Sequence, residues 1–181
     1  IDIVLSLLGL ILSSVVLLFF MCLIWLEDKH SPLYVADRTG LYGATFKMIK
    51  LRSLSEDADK TGPTSTSSDD IRMTHIGKLI RRFKIDELTQ LYNVFVGDMS
   101  LVGPRPQVQS AVDLYNPIER NLLNVRPGIT DFASIVFSNE AEILAGHRDV
   151  DSAYNELIRP GKSTLGLFYV NKHSTYVFSI L

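Results

Sequence analysis

From Ile3 to Leu26 the chain carries no charged residue, and the run is bounded by Asp2 on one side and Glu27-Asp28 on the other. At about 1.5 Å per residue, a helix over this run reaches across a hydrocarbon core of roughly 30 Å. That commits the opening segment, residues 1–28, to helix and to apolar surroundings. A cleaved signal peptide fits less well, because its apolar region would be shorter and no small-residue cleavage site follows. The basic residues Lys29, Arg38, Lys47, Lys50 and Arg52 come after the run and none near its start. The positive-inside bias then puts the following domain in the cytoplasm.

The whole chain of 181 residues suits one compact domain with this appendage. A formal net charge of −2 gives no bulk electrostatic reason to bind nucleic acid. The single cysteine, Cys22, excludes an internal disulfide and a cysteine-cluster metal site, and its place in the apolar run reads as a small hydrophobe.

The stretch that carries chemistry runs from Arg81 to Pro106, RRFKIDELTQLYNVFVGDMSLVGPRP. Asp86 and Glu87 stand together at the start of a helical pattern in which Ile85, Leu88, Leu91, Tyr92 and Phe95 recur at three- and four-residue steps. Asp86, Gln90 and Asn93 fall on its other side, and Gly97-Asp98 ends it. Pro104 and Pro106 stiffen the backbone around Arg105. This suits phosphoryl chemistry. An acid in a first helical turn is favoured as carboxylate, and a carboxylate can attack phosphorus. A second acid can hold a divalent metal, and a guanidinium on a rigid support can clamp phosphate oxygens. The acidic pair alone would read as ordinary helix-start surface; the whole string is far more specific.

That string resembles the signature of the bacterial sugar transferases, the monotopic phosphoglycosyl transferases, which reads approximately D-E-L-x-Q-L-x-N-V-x-x-G-D-M-S-x-V-G-P-R-P. Thr89 stands where proline is usual. The resemblance extends from Asp2 to about Thr130. It implies transfer of a sugar phosphate from a nucleotide-sugar, with uridine nucleotides usual, to a polyprenyl phosphate in a bacterial inner membrane. It implies Asp86 as nucleophile, Glu87 as the Mg2+ ligand and Arg105 as a phosphate contact. It also implies that the apolar segment is a re-entrant helix broken at a central Ser-Pro. Here that position reads Ser13-Ser14, so a straight span stays open beside the re-entrant form.

Between anchor and motif, Pro32–Val35 predicts a short strand and Asp37–Gly43 a turn. Ala44–Leu54 suits either a strand or a short helix. Lys50 and Arg52 in it are candidate contacts to anionic substrate or lipid headgroups. Residues 55–70 are small, polar and acidic, which predicts a mobile loop. Thr74 caps a predicted helix through Phe83, with Lys78, Arg81, Arg82 and Lys84 on or beside its basic side. The histidines show no metal-ligand spacing.

After the motif, Val108–Arg120 predicts a connection and a short helix. Arg126, again immediately before proline, is a candidate second phosphate clamp. Asp131 and Ser134 depart from the family pattern, where glycine and glutamine are usual. Ile135–Phe137 reads as strand, and 151–158 as helix ending before Pro160-Gly161. The apolar stretch from Leu165 reads as a surface helix against membrane or partner.

Together these give an α/β, helix-rich, membrane-anchored single domain with amphipathic surface helices and a small sheet. Residues 1–28 form the anchor, 29–163 the catalytic domain and 164–181 an apolar C-terminal segment. Two rivals accompany the covalent transferase: a direct ternary transfer with Asp86 as general base, and an inactive membrane scaffold of the same fold. A homodimer also stays open.

Overall fold

The computed structural model describes residues 1–56, 58 and 66–178. The opening run is one uninterrupted helix, α1, Asp2–Asp28, with a mean hydropathy of 2.9 in its most apolar window. The hydroxyls of Ser13 and Ser14 donate back to the carbonyls of Gly9 and Ile11, both at 2.7 Å, and the helix continues through them.

Strand β1, Leu33–Thr39, pairs antiparallel with β2, Thr45–Leu51, setting Leu33 opposite Leu51 and Thr39 opposite Thr45. β1 is longer than Pro32–Val35 predicts. Asp37 and Arg38, expected in a turn, continue the strand because each has a partner across the ladder. The reversal is confined to Gly40–Ala44, with Tyr42 and Gly43 at positive φ. In β2, Phe46 and Met48 are buried while Thr45 and Lys47 are exposed, a period of two that makes the segment a strand.

Helix α2, His75–Arg82, is capped by Thr74, whose side chain accepts from the Gly77 N–H at 2.9 Å. Ile80 of α2, Leu17 and Ile24 of α1 and Leu51 of β2 make one core, with Ile85 and Leu88 against it. Burial of each such aliphatic side chain is worth about 2 kcal/mol. The middle of the predicted 55–70 loop lies outside the described residues. Its flanks are tied down: Ser55 N–H donates to Arg72 O at 2.8 Å and Ser68 N–H to Ala141 O at 2.9 Å.

The predicted 85–95 helix divides into a 3-10 turn, Ile85–Glu87, and helix α3, Gln90–Val96. Its burial departs from the apolar stripe. Asp86, Thr89, Gln90 and Asn93 are buried, while Tyr92, Phe95 and Val96 are exposed. Leu88 packs against the core that includes Leu17 and Ile24 of α1, and Leu91 lies beside Gly9.

Strand β3, Ser100–Val102, pairs parallel with β4, Gly128–Thr130. Met99, Val94, Phe46 and Met48 form a second core between this pair, α3 and β2. Helix α4 is Gln109–Val112, and a 3-10 stretch covers Glu119–Asn124. The strand expected at Ile135–Phe137 is instead part of helix α5, Phe132–Val136. Asp131 caps it: one carboxylate oxygen accepts from Ser134 N and Ser134 Oγ, both at 2.6 Å. The departures at 131 and 134 thus build a helix start.

Helix α6, Glu140–Ile143, and α7, Val150–Ala153, follow, and a π-helical turn, Tyr154–Ile158, joins α7 to α8, Arg159–Phe178. The helix does not end at Pro160-Gly161. Pro160 lies inside one continuous helical run, just after the π-helical turn. The expected boundary at 163/164 lies inside α8. This helix rests on the domain, with Gly166 against Leu122 and Phe168 edge-on to Phe132 at 5.8 Å.

Candidate active site

β2 has β1 on one edge, and α3 covers the other with side chains. Asn93 Oδ1 accepts from the Ile49 N–H at 3.1 Å and its Nδ2 donates to Lys47 O at 2.7 Å. Thr89 Oγ1 donates to Ile49 O at 3.0 Å. These bonds satisfy the strand edge as a third strand would, which is why the polar side of α3 is the buried one. They also fix the 3-10 turn beside Lys50. That turn opens on Lys84 in left-handed backbone, φ 56°, an uncommon conformation for a residue with a Cβ and one that clusters at functional sites.

Glu87 is the centre of the charges. Its Oε1 accepts from Lys50 Nζ at 3.2 Å and from Arg105 Nη2 at 2.5 Å. Burial pushes the Glu87 carboxyl up, but Arg105 and Lys50 outweigh it and hold it well below the usual carboxylate range. Burial, reinforced by Arg105, brings Lys50 down to about 8 despite Glu87. Asp86 behaves oppositely. Burial raises it, with Glu87 adding to the rise and Lys50, Arg81 and Arg105 opposing it. Asp86 Oδ1 is buried and has no hydrogen-bond partner.

Arg105 is held where two glycine-proline segments meet. Gly103 N–H donates to Thr130 O and Gly128 N–H to Pro104 O, each at 3.0 Å. A Cβ on Gly128 would lie 2.1 Å from the Gly103 nitrogen, so these backbones approach as only glycine allows.

The structure brings four predicted residues, Lys50, Asp86, Glu87 and Arg105, to one cavity of about 1360 Å³. Arg126 is exposed and does not line it. Arg52 does line it, but its guanidinium is committed: it donates to both carboxylate oxygens of Asp28 at 2.6 Å and to Ser31 O at 2.7 Å. Sequence reasoning missed Arg81. It lines the cavity within the field of Asp86, and its place five residues before that acid was its one signal. It also missed Tyr154, Glu140 and Lys162 on the far wall, which no periodicity links to the motif.

Among the described residues no three histidine, cysteine or acidic side chains gather as a metal site. Asp86 and Glu87 are two adjacent carboxylates, one with a free buried oxygen. That set fits magnesium, which takes one or two protein carboxylates and fills its shell with phosphate and water oxygens.

A family model described as bacterial sugar transferase matches residues 1–175. The chain belongs to this family. A Bacillus subtilis relative, provisionally named an undecaprenyl-phosphate N-acetylgalactosaminyl 1-phosphate transferase, is 45% identical over 106 residues, 59% of each chain. The UDP-N-acetylgalactosamine-undecaprenyl-phosphate N-acetylgalactosaminephosphotransferase of Aeromonas hydrophila is 35% identical over 144 residues, 78% of this chain and 34% of its own. The UDP-glucose:undecaprenyl-phosphate glucose-1-phosphate transferase of Caulobacter vibrioides is 37% identical over 137 residues, 74% of this chain and 51% of its own. The match spans between 34% and 59% of these three relatives' lengths. Asp86, Glu87 and Arg105, which carry the resemblance in sequence, meet in one cavity of this family member.

Proposed function

We propose that the chain is a phosphoglycosyl transferase that moves a sugar 1-phosphate from a uridine diphosphate-sugar to polyprenyl phosphate. The observation that carries this is Asp86, buried in the cavity with one oxygen unpartnered, beside a carboxylate clamped by Lys50 and Arg105. An Asp86 oxygen attacks the β-phosphorus. The bond from that phosphorus to the bridging oxygen breaks, nucleoside monophosphate leaves, and an aspartyl sugar-phosphate remains. An oxygen of polyprenyl phosphate then attacks the same phosphorus. The Asp86 carboxylate leaves, and polyprenyl diphosphate-sugar is released. Lys50, Arg81 and Arg105 offset the phosphate charge in both displacements, and burial strengthens their effect. Magnesium, held by Glu87 and Asp86, supplies further charge neutralisation when bound.

The acceptor's location follows from α1. Asp2 at one end accepts from Ser100 Oγ at 2.7 Å, and Asp28 at the other is held by Arg52. A helix of about 40 Å tied at both ends to one domain supports insertion from a single side, with its outward apolar residues in lipid. The domain then faces the cytoplasm, where nucleotide-sugars are made, and site and lipid share one interface.

The test is release of uridine monophosphate from a panel of uridine diphosphate-sugars, with magnesium and undecaprenyl phosphate, by the chain in nanodiscs. Lipid-dependent release that is lost in Asp86→Asn supports the reading. Undiminished release by Asp86→Asn sinks it. A sugar-phosphate trapped on Asp86 separates the covalent route from direct transfer with Asp86 as base, which forms none.

A further inference from the structure

The cavity continues away from Asp86 to a wall that the chemistry above does not use. Lys162, near the start of α8, lines it together with Tyr154 of the π-helical turn and Glu140 of α6. Lys162 forms an ion pair with Glu140, and its ammonium stands over the Tyr154 ring at 5.3 Å from the centroid. The lysine side chain is 13% exposed and the glutamate 33%, so a buried cation is neutralised by the more accessible partner. Burial presses Lys162 toward its neutral form, and the charges of Glu140 and Arg105 both act on it. Arg105 lines the same cavity, and its charge acts on both Glu140 and Lys162.

Resting on the transferase reading, we propose that Lys162, Tyr154 and Glu140 form the subsite for the leaving nucleoside monophosphate. Lys162 binds its phosphate, Tyr154 flanks the nucleoside, and Glu140 holds the lysine until the nucleotide arrives. The diphosphate of the donor needs two cationic supports. The phosphate attacked by Asp86 has Lys50 and Arg81, and Arg105 stands between. The second phosphate lies further from Asp86, and Lys162 is a cation of the cavity wall within the field of Arg105 that also carries an aromatic face beside it. Its carboxylate partner is placed as Glu87 is toward Arg105: an internal anion occupying a cation's donors, which substrate phosphate can replace. The ring under the ammonium adds a flat apolar face next to the phosphate site. A π-helical turn, rare in proteins and frequent at functional sites, is what places Tyr154 there.

A purely structural ion pair makes a different prediction. If the pair only braces α6 against α8, removing either partner harms the protein alike. If Glu140 competes with nucleotide, the two removals act in opposite directions. The experiment is calorimetric titration of uridine monophosphate into the full chain in nanodiscs. We expect native protein to bind, Lys162→Met to weaken binding by about tenfold or more, and Lys162→Arg to retain it, as loss of a charge-assisted bond requires. Glu140→Gln, close in shape to the native residue, is expected to tighten binding. Equal affinity of native and Lys162→Met overturns the subsite and leaves the transferase reading standing. Weakening or no change in Glu140→Gln also overturns it, and that variant decides the matter if Lys162→Met does not fold. Failure of native protein to bind uridine monophosphate, while the release assay above shows no turnover, removes the transferase reading and the subsite with it.

Discussion

The hydroxyl of Thr89 donates to the carbonyl of Ile49 at 3.0 Å, joining the turn that carries Asp86 to the strand that carries Lys50. Asp86 and Lys50 are therefore held side by side in part through a side-chain-to-backbone hydrogen bond, made by the residue that stands where the family pattern usually has proline. Thr89→Val keeps the shape and removes the donor. The Ile49 carbonyl then loses a buried partner, at a cost of about 1–2 kcal/mol. Thermal unfolding in detergent should show the loss, and Thr89→Ser should recover most of it.

Asp86→Asn is expected to abolish sugar-phosphate transfer and to raise the melting temperature at pH 7. Burial lifts the Asp86 carboxyl above its ordinary value. A group raised on folding contributes stability below its unfolded value, and that contribution is lost as pH rises through the folded value. At pH 7 the ionised, buried form is a net cost, and asparagine removes it. Variant and native melting temperatures should converge as pH falls below the ordinary carboxylate range. A lower melting temperature for Asp86→Asn at pH 7 contradicts this account.

Turnover should fall as pH rises through about 8, because Lys50 sheds its proton there and the phosphate loses a cation. Arginine keeps its charge at every accessible pH. If Lys50→Arg is active, its alkaline limb should shift upward. An unmoved limb assigns that titration elsewhere.

Gly128→Ala should fold less stably and lose activity by about a hundredfold, the scale of an ångström's misplacement of a catalytic group. Its Cβ would fall 2.1 Å from the Gly103 nitrogen, forcing apart the strands that hold Arg105. Single-turnover rates separate this from simple loss of folded protein.

Arg52→Met should destabilise by about 1–2 kcal/mol, since it removes charge-assisted hydrogen bonds to a carboxylate that is itself partly exposed. Asp28 would lose both guanidinium bonds at 2.6 Å, and the end of α1 its tether to β2. Amide exchange should rise in the last turns of α1 before it rises in β2.

Local chemistry in the sequence was enough to determine several features. A long uncharged run makes α1 because a membrane or a core must satisfy every backbone group within the segment itself. Thr74 starts α2 because its side chain can accept from an N–H three residues on. The helix start at Asp131 was equally local, its side chain accepting from Ser134 three residues on, although the apolar residues that follow favour a strand. The acids at 86–87 and the proline-flanked Arg105 pointed to phosphoryl chemistry only as parts of one long string, whose order the chain carries with it. The tertiary structure decided the rest. Which side of α3 is buried depends on the free edge of β2, 40 to 44 residues earlier, whose backbone groups Thr89 and Asn93 satisfy. That Arg81 and Lys162 line the cavity of Asp86, and Arg126 does not, depends on how separate segments pack. Local rules reach only a few residues along the chain, and a pocket is made where distant segments must share one volume.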